Sequence, residues 1–184
     1  MWWLRPLARL IAVAGLAALT AGCFQPMYAE RTAGGPRGVG LADKLSTVEV
    51  ASVSAPNGTR LSRVGTELRD SLIFNLTGGS GPGPSSYRLN VTLSSSQTQV
   101  IVDITSGRPD IQNYGIDATY DLVDLSTGKS IMSGRTFSRV SYNIPGQQQR
   151  FAGDRGLRDA EDRAAKVIAE NIRNRLASFF VAGT

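Results

Sequence analysis

Two absences limit the chemistry available to this chain. It contains no histidine, and it has one cysteine, Cys23, in 184 residues. An internal disulfide, a zinc site built from cysteine and histidine, and a Ser-His-Asp triad are therefore excluded. Most common hydrolytic mechanisms are excluded with them.

Carboxylates remain as candidates for catalysis, and five of them fall within 22 residues: Asp103, Asp110, Asp117, Asp121 and Asp124. A hydrolase of the cell envelope would need two of them to converge in a cleft. They occupy strand-alternating or turn positions among polar neighbours, which is typical of a solvated surface. We therefore predict a binding or structural protein rather than an enzyme, with no metal ion and no cofactor.

The charge is modestly positive. The chain has 20 Lys and Arg against 15 Asp and Glu, for a formal net charge of +5. Two of the arginines, Arg5 and Arg9, lie in an N-terminal segment that we expect to be removed. The remaining basic residues are scattered rather than clustered with aromatic residues, which does not predict nucleic-acid binding. A weak preference for anionic partners is all that the charge indicates.

The first 22 residues have the features of an export signal. Arg5 and Arg9 form a basic head, and residues 7–19 form an apolar core that is too short to span a bilayer permanently. The small residues Ala21 and Gly22 directly precede Cys23, as in the lipobox of bacterial lipoproteins. We expect cleavage before Cys23, which would then carry N-acyl and S-diacylglycerol groups and hold the protein at a membrane. A plain secretory signal with an incidental cysteine is the alternative.

The mature chain has the length of one ordinary domain. Residues 23–45 contain Gly34-Gly35-Pro36, Gly38 and Gly40 with few apolar residues, and predict an acylated cysteine followed by a flexible tether. Residues 46–184 are predicted to form a single α+β domain.

Periodicity predicts the elements of this domain. A strand at 47–53 precedes a helix with the apolar stripe Leu61, Val64, Leu68 and Leu72, which favours packing on a sheet over binding at a membrane surface. Alternating runs from Tyr87, from Tyr114 and over residues 130–142 predict an antiparallel meander, with a bulge or exposed stretch at 94–99 and a turn at 106–110. A polar connection at 146–153 leads to a second helix, with the apolar positions Leu157, Ala160, Ala164, Val167, Ile168, Ile172 and Leu176.

The predicted order is therefore β-α-β-β-β-α. Two amphipathic helices packed on one face of a four-stranded mixed sheet form a two-layer α+β sandwich, which buries both apolar stripes at once. The opposite face of the sheet stays polar, and it is either exposed to solvent or in contact with a partner.

The chain resembles the LptE family of lipopolysaccharide-assembly lipoproteins, particularly its alphaproteobacterial form. The resemblance rests on Cys23-Phe24-Gln25-Pro26-Met27-Tyr28 after the signal, on the element order, and on Asp162-Arg163-Ala164-Ala165 in the terminal helix. It covers nearly all of the mature chain. It implies a lipoprotein of the outer membrane, facing the periplasm and the lumen of the β-barrel LptD, which it plugs and helps to assemble while lipopolysaccharide passes to the cell surface. Phe24, in place of an aspartate after the anchor, agrees with delivery to the outer membrane.

The resemblance also implies that lipopolysaccharide is bound by basic residues in two places. The matching places hold Arg108, in the turn 106–110, and Arg150, before the last helix, with Arg155 nearby. Guanidinium groups suit this role because they pair bidentately with phosphate and stay charged at any relevant pH. The alternative function is that of a pilot or accessory lipoprotein of another envelope secretion or lipid-transport complex.

Overall fold

The computed structural model describes residues 40–56, 58–79, 83–103, 108–144 and 150–182. The predicted signal, Cys23 and most of the predicted tether lie outside these residues. The elements are α1 (Leu41–Ser46), β1 (Val48–Val50), α2 (Arg60–Thr77), β2 (Tyr87–Asp103), β3 (Arg108–Asp124), β4 (Ser130–Asn143) and α3 (Arg150–Ala182).

The strands form one sheet in the order β1-β2-β3-β4, in which β1 runs parallel to β2 and the other neighbours are antiparallel. Helix α2 packs on β1 and β2, and α3 packs on β3 and β4 and against α2. The predicted α+β architecture and element order are confirmed, with α1 as an additional short helix.

Helix α1 lies where the sequence predicts tether. The Gly- and Pro-rich composition ends at Gly40, and the following residues, Leu-Ala-Asp-Lys-Leu, contain neither of these helix breakers. Leu45 is buried. The ordered body therefore begins at least five residues earlier than predicted.

Helix α2 has well-defined ends. The Thr59 hydroxyl accepts a hydrogen bond from the backbone N–H of Ser62 as N-cap, and Gly78 ends the helix in the left-handed conformation, donating its N–H to the Phe74 carbonyl. Gly65 lets the helix approach the segment after β1, since a Cβ there would lie 3.3 Å from Val53 Cγ1. These features fix α2 against the β1 side of the sheet.

The hairpin of β2 and β3 is longer than the sequence suggests. The two strands pair from Tyr87↔Asp124 to Asp103↔Arg108, with register shifts between Gln99 and Val102. Residues 94–99 are exposed, as predicted, and the irregularity begins directly after them, at Val100. Arg108 was predicted in a turn and is instead the first residue of β3, because pairing with β2 continues past the bulge.

Helix α3 also begins earlier than predicted. It starts at Arg150, within the predicted polar connection 146–153, and runs for 33 residues. Gly153 and Gly156 are tolerated inside it, and at Gly156 a Cβ would come within 3.4 Å of the Asn143 carbonyl oxygen. The glycine thus permits a close contact between the start of α3 and the end of β4.

The core lies between the helices and one face of the sheet. Its fully buried side chains include Leu68 and Leu72 of α2, Leu89 and Ile116 of the sheet, and Ile168 of α3. Tyr120 packs over Gly134 on this face, where a Cβ would lie 2.5 Å from the tyrosine hydroxyl oxygen. The glycine leaves the space that the aromatic ring occupies.

Candidate functional site

The three candidate lipopolysaccharide-binding residues lie on elements that meet at one end of the domain. Arg108 begins β3, while Arg150 and Arg155 lie in the first two turns of α3. Asn143, the last residue of β4, pairs with Ile111 of β3 and contacts Gly156 of α3. The start of β3 and the start of α3 therefore flank the same strand end. Arg155 is exposed.

An open depression of about 380 Å³ lies at this end, between β4 and α3. Within it, Arg163 Nε donates to Asp159 Oδ2 at 2.8 Å, and Arg163 Nη2 donates to the Ser141 carbonyl at 3.5 Å. The cation is thus partly neutralised by protein groups. The depression is lined by Ser141, Tyr142, Asn143, Ala152, Gly156, Asp159 and Arg163.

The outer face of the sheet is polar and its side chains are paired across strands. Arg139 Nη2 lies 2.9 Å from Asp117 Oδ2, and Asn90 Nδ2 donates to Asp121 Oδ2 at 3.1 Å. Arg139 crosses Gly115, where a Cβ would come within 2.8 Å of its Cδ. No described helix covers this face.

One aromatic side chain interrupts this polar face. Phe137 of β4 is 64% exposed, and the Arg139 guanidinium carbon lies 5.5 Å from the centre of its ring. An exposed phenylalanine stacked with a cation offers an amphipathic contact to a partner. The alternation of β4 places Phe137 on the outer face, but the sequence analysis did not single it out.

Asp117 and Asp121 do not form a catalytic pair. They stand four residues apart on one strand, so their Cα atoms are separated by roughly 13 Å. Each is engaged by a neighbouring side chain, Arg139 or Asn90. Among the described residues no group of three metal-ligating acids, cysteines or histidines occurs either.

Helices α2 and α3 are joined by an ion pair that the sequence analysis did not predict. The Glu161 side chain is 1% exposed, and its Oε2 accepts a hydrogen bond from Arg63 of α2. Arg63 also donates to Asp162 Oδ1 at 2.9 Å. Desolvation opposes the charged form of Arg63, but hydrogen bonds and charge from Asp162 and Glu161 together raise its pKa above the ordinary value.

Three tyrosines lie on the helix side of the sheet, and the charge of Glu161 acts on two of them, Tyr114 and Tyr142. Burial raises the pKa of Tyr114, against a hydrogen bond with Ser95 that lowers it, and burial also raises the pKa of Tyr120 and Tyr142. The Tyr142 hydroxyl donates to Gln112 Oε1 at 2.7 Å. These tyrosines remain neutral at ordinary pH, so they serve as packing and hydrogen-bonding groups.

The described helices include none that is long and apolar enough to cross a bilayer.

Solved structures share this fold. A lipoprotein from Caulobacter crescentus CB15 superposes with a TM-score of 0.60 at 23% identity, over 78% of this chain and 97% of that one. The rare lipoprotein B from Shewanella oneidensis gives a TM-score of 0.51 at 14% identity, over 73% of this chain and 96% of that one. Comparison with curated protein sequences gave no match.

The sequence model of one family covers most of the folded body. That family is LptE, described as lipopolysaccharide-assembly, and the match extends over residues 45–176. The matched span begins in α1 and includes every strand, α2 and most of α3. The chain therefore belongs to the LptE family of lipopolysaccharide-assembly lipoproteins.

Proposed function

We propose that this protein is an outer-membrane lipoprotein, acylated at Cys23, that plugs the lipopolysaccharide-translocating β-barrel LptD and assists its assembly. Membership of the LptE family supports a role in lipopolysaccharide assembly. The position inside the barrel is the further step of the proposal. In this role the protein binds and positions, and it catalyses no reaction.

The observation that carries the plug proposal is the polar outer face of the sheet, which no described helix covers. The lumen of a large membrane barrel is polar and filled with water, so a plug needs hydrophilic outer surfaces. Here the cross-strand pairs Arg139–Asp117 and Asn90–Asp121 supply one. Among the described residues, the large exposed apolar side chains belong to several different elements, whereas a single broad apolar patch would favour insertion in lipid. They are Phe74, Val100, Leu125, Ile131, Phe137, Phe151, Val167 and Val181.

Purification in mild detergent tests this proposal. The full chain, tagged at its C-terminus in its native host, is expected to bring a large outer-membrane barrel with it. Recovery of the chain alone would contradict the proposal. Depletion supplies the control for the accessory-lipoprotein alternative, since only loss of a lipopolysaccharide-assembly factor makes lipopolysaccharide accumulate before it reaches the surface.

We further propose that Arg108, Arg150 and Arg155 bind the phosphates of lipopolysaccharide. The shared location of their elements at one end of the domain supports this assignment. A guanidinium hydrogen-bonded to phosphate forms a charge-assisted pair, which is about twice as strong as a neutral hydrogen bond.

The double variant Arg108→Asp with Arg150→Asp is expected to weaken lipopolysaccharide binding at least about tenfold, because each change replaces attraction with repulsion. Equilibrium binding of purified lipopolysaccharide to the full chain in detergent measures it. The control is Lys129→Asp with Arg135→Asp, which makes the same change in net charge in the β3–β4 turn and on the outer face of the sheet. Equal loss in both pairs would reduce the effect to net charge, and unchanged binding would remove the site assignment.

A further inference from the structure

The inference concerns the edge of β2 beyond the point where β1 ends. Backbone hydrogen bonds join β2 to β1 and the segment after it: Ala51 donates to Leu89, Ser54 donates to Val91, and Leu93 donates to Ser54. The odd-numbered residues of β2 therefore direct their N–H and C=O groups away from β3. Past Leu93, the next odd residues are Ser95, Gln97 and Gln99.

Among the described residues, no strand pairs with β2 alongside these three residues on the side where β1 pairs. After the bridge between Ser54 and Thr92, the chain leaves the sheet and enters α2. The side chains of residues 94–100 are exposed as well. In the described part of the chain, this stretch of β2 is thus open along one edge and exposed on both faces, while β3 pairs with its other side.

Open edges are normally protected by charges, prolines or bulges, because unpaired backbone groups recruit further strands. The opposite edge of the sheet is protected in this way, since β4 carries Arg135 and Arg139 and its end contacts α3. The stretch Ser94 to Val102 contains no charged residue and no proline. The bulge between Gln99 and Val102 ends the regular part but does not block residues 95–99.

We propose that Ser95–Gln99 receives an extended, uncharged segment of a protein partner as an additional strand. The backbone groups of Ser95, Gln97 and Gln99 pair with that segment, which lies on the same side of β2 as β1, beyond the end of β1. This inference rests on the proposed function, because it assigns the contact to the barrel partner. The open edge of β2 is five residues long, or roughly 16 Å, which suits a loop or chain end rather than a long strand.

The length of this open edge and its lack of charged residues identify the occupant. A strand bearing charges would lose hydration here without gaining an opposite charge, so an uncharged segment fits better. A second copy fits poorly. Antiparallel pairing of two β2 strands about Gln97 places residue 102 of one copy opposite Thr92 of the other, and Ser54 already occupies that position.

Two measurements on the complex of the full chain with its barrel test the proposal. Hydrogen exchange of peptides covering residues 94–100 should slow in the complex relative to the isolated chain. The slowing should reside in the odd-numbered amides, because the even-numbered ones already pair with β3.

The matched variants are Gln97→Pro and Gln97→Ala. Proline removes the edge-facing N–H, and an edge strand tolerates this because that group has no partner in the sheet. Alanine removes the side chain and keeps the N–H. We expect Gln97→Pro to dissociate from the barrel about tenfold faster, as the loss of a buried backbone pairing implies, and Gln97→Ala to behave as the unsubstituted chain. Thermal unfolding of both variants serves as the folding control.

The outcomes separate the two proposals. If the barrel copurifies but exchange over 94–100 is unchanged, or if both variants dissociate alike, the added strand is refuted and the proposed function stands. If the unsubstituted chain retains no barrel, both are refuted. A chain that sediments as a dimer, and as a monomer with Gln97→Pro, would refute the proposal in favour of self-association. If Gln97→Pro does not fold, the exchange measurement on the unsubstituted complex decides.

Discussion

Replacing Arg63 with alanine is expected to lower the free energy of unfolding by about 3 kcal/mol, because it leaves a carboxylate buried without its cation. The Glu161 side chain is 1% exposed, and one of its oxygens, Oε1, has no hydrogen-bond partner. Its other oxygen depends on Arg63. Urea unfolding followed by circular dichroism measures the change.

Arg60→Ala is the matched control for this prediction. Arg60 lies on the same helix, one turn earlier, and forms an ion pair with Asp154 of α3 at 3.3 Å. Both partners are more than half exposed, so this pair is worth at most about 1 kcal/mol. Equal losses from the two substitutions would show that burial of Glu161 does not set the cost.

The double variant Arg63→Met with Glu161→Leu tests whether the cost of Arg63→Ala comes from the carboxylate left unpaired or from the loss of the ion pair itself. Removing both charges together eliminates the unpaired carboxylate, and buried ion pairs are often replaced by apolar residues without loss. We expect the double variant to be more stable than Arg63→Ala. A double variant that is less stable than Arg63→Ala would show that the unpaired carboxylate does not account for the cost of Arg63→Ala.

The element order was predictable because each element carries its own period. The alternation from Tyr87 to Leu93 and from Tyr114 to Leu122 corresponds to the side chains that face the helices, and these are buried except for Tyr87. The apolar stripe of α2 likewise corresponds to its buried face. Such patterns record which side of an element meets the core, and that is sufficient to determine the layers.

The ends of elements were less predictable, because they depend on neighbours that a local pattern does not contain. Arg108 belongs to a strand because β2 is there to pair with it. The glycines at 153 and 156 argue locally against a helix, yet α3 includes them, and Gly156 lies against β4. Both misplaced boundaries concern candidate lipopolysaccharide-binding residues, so the sequence located the candidates but not the elements that hold them.

Burial within α3 shows a second limit. This helix contacts both α2 and the sheet, so its buried arc is wider than one apolar stripe. It includes the acid Glu161 and the small residues Ala165 and Ala169, whereas Val167, predicted as core, is 41% exposed. The partner of Glu161 is 98 residues away in sequence. Pairing at that distance leaves no periodic signal, so the sequence pattern did not identify Glu161 as a buried residue.

Ile168→Ala is expected to lower the free energy of unfolding by about 3 kcal/mol, since it removes a fully buried side chain and leaves a cavity. The neighbouring Val167→Ala provides the control, with an expected loss of less than about 1 kcal/mol because Val167 is partly exposed and the site can relax. Both are measured by urea unfolding of the full chain. The two residues are adjacent and aliphatic, and the sequence pattern assigned both to the core, so their difference measures burial in the folded body. Equal losses would mean that Val167 packs against the body as closely as Ile168 does, and the orientation of α3 over β3 and β4 would then be wrong.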